Sequence, residues 1–292
     1  MKFFLSCCLV FSLFSCSRND APMDSWYLGW RMTFNLMQDR HALAAEQFDS
    51  LRTLSNDIEP QFLSVGLISL SRQGRDEEVA VLFDGLSEDV KRQICRSNSL
   101  RKAPFCAEYT VSAPADSLLS KALVQMYLND QAVRGNVMQD VMEEYEVRPD
   151  SGLIARGMLD VDLVNRERLA NIIKEYGFPT VKLVGQEAMR GAFMVIQHAD
   201  RDPDWQRDQL PLVEAAVAAG DLERKDYAYL YDRIQVNSNL PQRYGSQFAK
   251  VDPVNGVAEL AETEDPENLN VRRKAMGMMP IEMYRKLILS IP

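Results

Sequence analysis

Apolar positions recur every three to four residues along most of the chain, a spacing that predicts helices. Trp26, Trp30, Phe34 and Met37 hold it behind Asp24, a residue type suited to an N-cap. Ala44, Ala45, Phe48 and Leu51 form a second stripe after a break at Asp39-Arg40. Phe62, Val65 and Ile68 predict a third helix, Gly74 ends it, and Val79, Leu82 and Phe83 mark a fourth. The pairs Leu28 and Phe62, Ala45 and Val79, and Phe48 and Leu82 are each 34 residues apart, the tetratricopeptide (TPR) period. Gly66 suits such a repeat, but its aromatic and small-residue signature is otherwise incomplete, so a generic antiparallel bundle fits the same stripes. A short helix over 87–96 follows, then a Pro-punctuated stretch ending at Ala113-Pro114, where a domain boundary is expected.

The second half continues in helices. Asp116 caps one carrying Leu119, Leu123 and Met126, and a new helix is expected to begin at Asp130-Gln131 and run through Met142 to Tyr145. Asn165 is the expected N-cap of a helix bearing Leu169, Ile172 and Tyr176, which Gly177 and Pro179 stop. Ala188, Ala192, Val195 and Ala199 make a stripe over 184–199, with His198 at its flank and Gly191 leaving space beside the imidazole. A helix over 224–237 buries Tyr227, Leu230, Tyr231 and Ile234. After Phe248 the composition turns acidic and reads as a solvated connector, closed by Asp265-Pro266-Glu267 opening a short helix with Arg272-Arg273. Pro280 opens the last helix. The fold class expected is all-α: helical hairpins (TPR-like) followed by a compact helical domain.

The beginning of the chain breaks the pattern. Lys2 precedes a dozen mostly apolar residues, the length of a signal-peptide core and short of the roughly 20 that span a bilayer. The run ends in Leu13-Phe14-Ser15-Cys16, which resembles a bacterial lipobox of the Bacteroidetes kind, so Cys16 is the expected lipidation site; an ordinary secretion signal is the plainer alternative. Residues 1–15 are then a lipoprotein signal, 16–25 a polar tether, 26–113 the TPR-like region and 116–292 the second helical domain. The expected location is the bacterial cell envelope, facing the periplasm or the cell surface, with the membrane reached through the N-terminal lipid. Of five cysteines only Cys95 and Cys106 remain outside the first 16 residues, and an oxidising compartment favours a disulfide between them over two buried thiols. Two thiols and two distant histidines, His41 and His198, have no metal-ligand spacing, and no cofactor is implied. A formal charge of −9 without a basic stripe argues against nucleic acid as a partner.

An ordered set of polar motifs runs through the second half: Asp130-Gln131-x-x-Arg134, Asp162-x-x-Asn165, Gly177-Phe178-Pro179-Thr180 and Gln197-His198-Ala199-Asp200. Asp232-Arg233, Gln242-x-Tyr244-Gly245-Ser246-Gln247 and Arg272-Arg273 complete it. Together these resemble a bacterial domain family of unknown function with the pattern DQxxR, DxxN, GWPT, QHAD, DR, PQxYGTQ and RR. Phe178 replaces the family's Trp and Ser246 its Thr. The resemblance covers about 116–290 and implies no activity.

The residues themselves suggest chemistry. His198 is a candidate general base or hydrogen-bonding anchor, oriented by Asp200, Asp232 or another acid, or else a backbone-bonded histidine at a helix end. Asp232 and Arg233, adjacent on one helix, diverge by about 100° and must reach different partners, as a buried ion network or with Arg233 as an anion clamp. Gln242, Tyr244 and Gln247 offer uncharged donors and acceptors suited to a sugar or peptide backbone, or to holding their own loop; one of Arg272 and Arg273 is expected to fold back onto the acidic residues of this stretch, with Arg272 the binding candidate. Two functions follow. One is a non-catalytic binding module for a peptide, glycan or protein, with these residues in one shared hollow. The other is a hydrolase using His198 with Asp200 or Asp232 on a glycan or peptide. The absence of a recognisable nucleophile, metal set or paired glutamates favours binding.

Overall fold

The computed structural model describes residues 24–96, 100–109 and 113–290; the signal segment, Cys16 and nearly all of the tether lie outside the described residues. The protein is all-α apart from one two-stranded hairpin. Five helices form the first region: α1 (Ser25–Met37), α2 (His41–Leu54), α3 (Pro60–Arg72), α4 (Asp76–Asp84) and α5 (Glu88–Cys95). Asp24 caps α1 by accepting from the Tyr27 N–H at 2.8 Å. The starts of α1 and α3, and of α2 and α4, are 35 residues apart, so the sequence period corresponds to two successive helical hairpins. Their close approach needs Gly29 and Gly66, where a Cβ would lie 2.6 Å from the Phe62 ring and 2.3 Å from the Phe48 ring. Met32, Phe48, Phe62, Leu67 and Ile94 fill the core between them, each large side chain contributing about 1.5–3 kcal/mol by burial. Cys95 and Cys106 are joined by a disulfide at the foot of this core.

The second region contains α6 (Ser117–Val133), α7 (Gln139–Tyr145), α8 (Ser151–Ile154), α9 (Met158–Tyr176), α10 (Val181–Val184), α11 (Gln186–Gln197), α12 (Pro203–Ala219), α13 (Arg224–Asn237), α14 (Leu269–Ala275) and α15 (Ile281–Ser290). Leu123, Met126, Leu169, Met189, Ile196, Val213 and Leu230 form its core, separate from the first. Helices α6 and α11 touch along their length because Gly191 lacks a side chain: a Cβ there would sit 2.8 Å from Leu123 O and Tyr127 Cβ. The space at Gly191 is therefore taken by α6 and is not room beside the imidazole.

Three expected boundaries differ. Asp130 and Gln131 lie inside the last turn of α6 and do not start a helix, since nothing before Arg134 breaks the ladder. Asn165 is no N-cap; it lies inside α9, which begins at Met158, and its amide donates to Met126 O at 3.0 Å. The acidic connector is an antiparallel hairpin of β1 (Phe248–Asp252) and β2 (Val257–Leu260), because Pro253 to Gly256 make a turn and Val251, Val257 and Leu260 alternate with polar residues. Among the described residues, ion pairs link the regions: Lys274 on α14 reaches Asp24 at 2.7 Å, and Arg101 pairs with Glu144 on α7.

Candidate functional site

The last turn of α6 carries the first polar centre. Asp130 is buried, and its Oδ1 lies 2.6 Å from Nδ1 of His198, the residue that ends α11. The same carboxylate meets Arg134 at 2.9 Å and accepts from the Gln131 amide at 2.7 Å. Arg134 then forks onto both oxygens of Asp162 at 2.9 and 3.0 Å. Burial pushes the Asp162 carboxyl up, and the hydrogen bond and charge of Arg134 oppose this. His198 is thus oriented by Asp130, and not by Asp200 or Asp232. Its Nδ1 is committed, while among the described residues no protein group meets Nε2. The His198 side chain is 13% exposed.

Two residues on, Asp200 belongs to a second pair. Arg233 of α13 donates Nε and Nη2 to its two oxygens, both at 2.6 Å, and Asn237 adds a bond at 3.1 Å. Burial pushes the Asp200 carboxyl up, but Arg233 and Asn237 outweigh it and hold the group below the usual carboxylate range. The next helix, α12, is capped by Asp202, which accepts from Trp205 N–H at 3.1 Å.

Asp232 faces the other way and makes a third centre. It is fully buried and accepts from three backbone N–H groups of the following loop: Arg243 at 2.8 Å, Tyr244 at 2.9 Å and Ser246 at 2.9 Å. Burial pushes its carboxyl up against the pull of these donors. Arg273 takes the opposite side of the same loop. Also fully buried, it donates to the carbonyls of Tyr244 at 2.7 Å, Gly245 at 3.0 Å and Met279 at 2.6 Å, and lies 4.8 Å from the Tyr284 ring centre. Burial lowers its pKa, opposed by Tyr229, Tyr284 and Asp232. Gly245 has φ +66°, and a Cβ there would lie 3.0 Å from Leu269, so a side chain is both strained and crowded. Arg272 reaches back to Arg243 O at 2.7 Å.

The hydrogen bonds of Gln242 and Gln247 therefore go to their own loop and to the chain after β2, and the Tyr244 backbone is held by Asp232 and Arg273. The Gln242 side chain is sealed; its amide donates to Gln247 O, Ala261 O and Thr263 Oγ1, and its oxygen accepts from Gln247 N–H. Gln247 donates to Ser246 Oγ at 3.0 Å. Instead of lining one shared hollow, the expected site residues divide between an outward corner (His198, Asp200, Arg233) and an internally satisfied loop clamp (Asp232, Gln242, Arg272 and Arg273). Asp130, Arg134 and Asp162 were missed as site residues, although the DQxxR and DxxN motifs contained them. Among the described residues no group of three or more His, Cys, Asp and Glu side chains could hold a metal. An open groove of about 530 Å³ lies away from the corner, between α6 and residues 146–151, lined by Lys121, Gln125, Glu146 and Arg148.

These features define an all-α domain in which buried ions organise two separate places, a corner of helix ends at His198 and a loop clamp at Asp232 and Arg273. The chain belongs to the family of unknown function DUF6624, whose match spans residues 117–291, the stretch that carries the motifs. Comparison with curated proteins and with solved structures finds no match for the chain.

Proposed function

We propose that the protein is a lipid-anchored member of the bacterial cell envelope whose second domain is a recognition module for a peptide, glycan or protein partner, acting at the corner of His198, Asp200 and Arg233. The observation that carries the module is the buried Asp130 carboxylate. By engaging Nδ1 at 2.6 Å it favours the tautomer that leaves Nε2 free to accept, a constraint that a merely packed histidine does not need. The anchor rests on the Leu13-Phe14-Ser15-Cys16 run behind an apolar segment too short to span. Among the described residues no helix is long and apolar enough to cross a membrane. Replacement of Cys16 by Ser is expected to move the protein from the membrane pellet to the soluble fraction on cell fractionation. If the variant pellets with membranes as the parent does, the anchor is wrong.

The same dyad favours a second reading, a hydrolase in which Asp130 orients His198 as a general base that activates water against a glycan or peptide. Co-sedimentation with isolated peptidoglycan sacculi separates the two. A recognition module pellets with sacculi and releases nothing, and His198→Ala abolishes the pelleting. A hydrolase releases soluble fragments, and His198→Gln pellets yet releases none. Neither pelleting nor release from the parent chain would remove sacculi as the partner under both readings.

A further inference from the structure

The ions around His198 leave one negative charge uncancelled. Asp130 and Asp162 are two carboxylates bridged by one guanidinium: Arg134 meets Asp130 at 2.9 Å and forks onto Asp162 at 2.9 and 3.0 Å. The flanking pairs are balanced, since Arg233 of α13 answers Asp200 and Arg166 of α9 answers Asp202. Arg201, between those two aspartates in sequence, is exposed and forms no ion pair among the described residues, so water screens its charge. Asp130 is 1% exposed, and a net charge at such depth is costly without a counter-charge. Two things can supply it: a second ring proton on His198, or a cation brought by a ligand.

The bonds at the corner show where such a cation would attach. Asp130 is already engaged, with His198 and Arg134 on Oδ1 and the Gln131 amide on Oδ2. Nε2 of His198 meets no protein group among the described residues and is not sealed from solvent. With Nδ1–H given to Asp130, Nε2 carries the ring's lone pair. Asp200 is a second acceptor. Its side chain is 42% exposed, and Arg233 and Asn237 together make three bonds to a carboxylate that has about four lone-pair sites. A group with a positive charge and several N–H donors answers both the acceptors and the charge.

We propose that the corner takes a primary ammonium group, carried on a peptide or on an amino sugar, with Nε2 of neutral His198 as its first acceptor and Asp200 as its second. The inference rests on the reading of this corner as the recognition site and names the ligand's chemistry there. A hydrogen bond with an ionised donor is stronger than a neutral one, and the ammonium supplies the charge that the Asp130–Arg134–Asp162 bridge lacks. Proton and ligand then compete for one nitrogen. Acid weakens binding, because a proton on Nε2 blocks the acceptor and provides the same charge. The groups that set this competition are Asp130 and Arg134 on α6, Asp162 and Arg166 on α9, Asp200, Arg201 and Asp202 in the turn, and Arg233 on α13.

The test uses the full chain in detergent with isotope-labelled histidine, read by NMR. The sequence has two histidines, so His198→Gln assigns both rings. The probes are Nα-acetyl-lysine amide and glucosamine, which carry the ammonium on a peptide and on a sugar, each beside its neutral N-acetylated form at fixed ionic strength. Saturable shifts of the His198 ring are expected with at least one ammonium probe, and binding at least about tenfold weaker with the acetylated forms. Which probe binds names the source. Asp162→Asn removes the uncancelled charge without a bond to the ring, and should weaken the ammonium probe at least about threefold while the ring still bonds Asp130. No saturable shift with either probe, equal binding of the acetylated forms, unchanged binding in Asp162→Asn, or binding that strengthens in acid overturns the proposal. If it is overturned while His198→Ala still abolishes pelleting with sacculi, the ligand class falls and the corner stands. If His198→Ala also pellets as the parent does, the corner falls with it.

Discussion

At residue 232 a single carboxylate replaces water for three backbone N–H groups at once. Asp232→Ala leaves Arg243, Tyr244 and Ser246 without their acceptor and Arg273 without its facing charge. Loss of one partner of a buried charge arrangement costs about 3–5 kcal/mol, so urea denaturation should register a loss of that order. A loss under about 1 kcal/mol would mean that the loop stands without the clamp. The adjacency of Asp232 and Arg233 already implied different partners, because successive helical side chains diverge. Which partners they found was not legible, since Asp200 and the 243–246 backbone come from distant parts of the chain.

Among elements, α6 and α11 are the pair on which the corner depends. Their contact brings Asp130 to His198, and Gly191 permits it. Gly191→Ala is expected to force the helices apart and cost about 1–3 kcal/mol, read in denaturant midpoints, with a change in the His198 ring resonances by NMR. Unchanged resonances would mean that the dyad tolerates the shift. Most helices were legible from apolar periodicity, and α13 coincides with its expected span over 224–237. The hairpin β1–β2 was not, because its short strands carry Lys250, Asp252 and Glu259 and so resemble a solvated connector. Asn165 looked like a cap for a related reason: the same side chain that caps a helix also satisfies a neighbouring helix's carbonyl, and only packing decides.

At the scale of the molecule, two separate cores are linked, among the described residues, by the ion pairs Arg101–Glu144 and Lys274–Asp24. The Cys95–Cys106 disulfide closes a short loop within the first core, and its 11-residue separation corresponds to about 3 kcal/mol of loop-closure stabilisation. Calorimetry should resolve two transitions, with the Cys95→Ala, Cys106→Ala double variant lowering only the one that belongs to the first core. A single transition shifted as a whole would mean that the regions unfold together.

Periodicity, capping residues and the order of the polar motifs are properties of neighbouring positions, and the sequence alone determined the helical class, most helix boundaries and the family. The partners of its ions are a different matter. Hydrogen bonds between Asp130 and His198, or between Asp232 and a loop more than ten residues on, depend on which faces meet after burial of the cores. A carboxylate reads the same in a string of letters when it binds a ligand and when it pins a backbone. Only the tertiary structure separated the two, by sealing Asp232 and Gln242 from water and leaving His198 and Arg243 in reach of it.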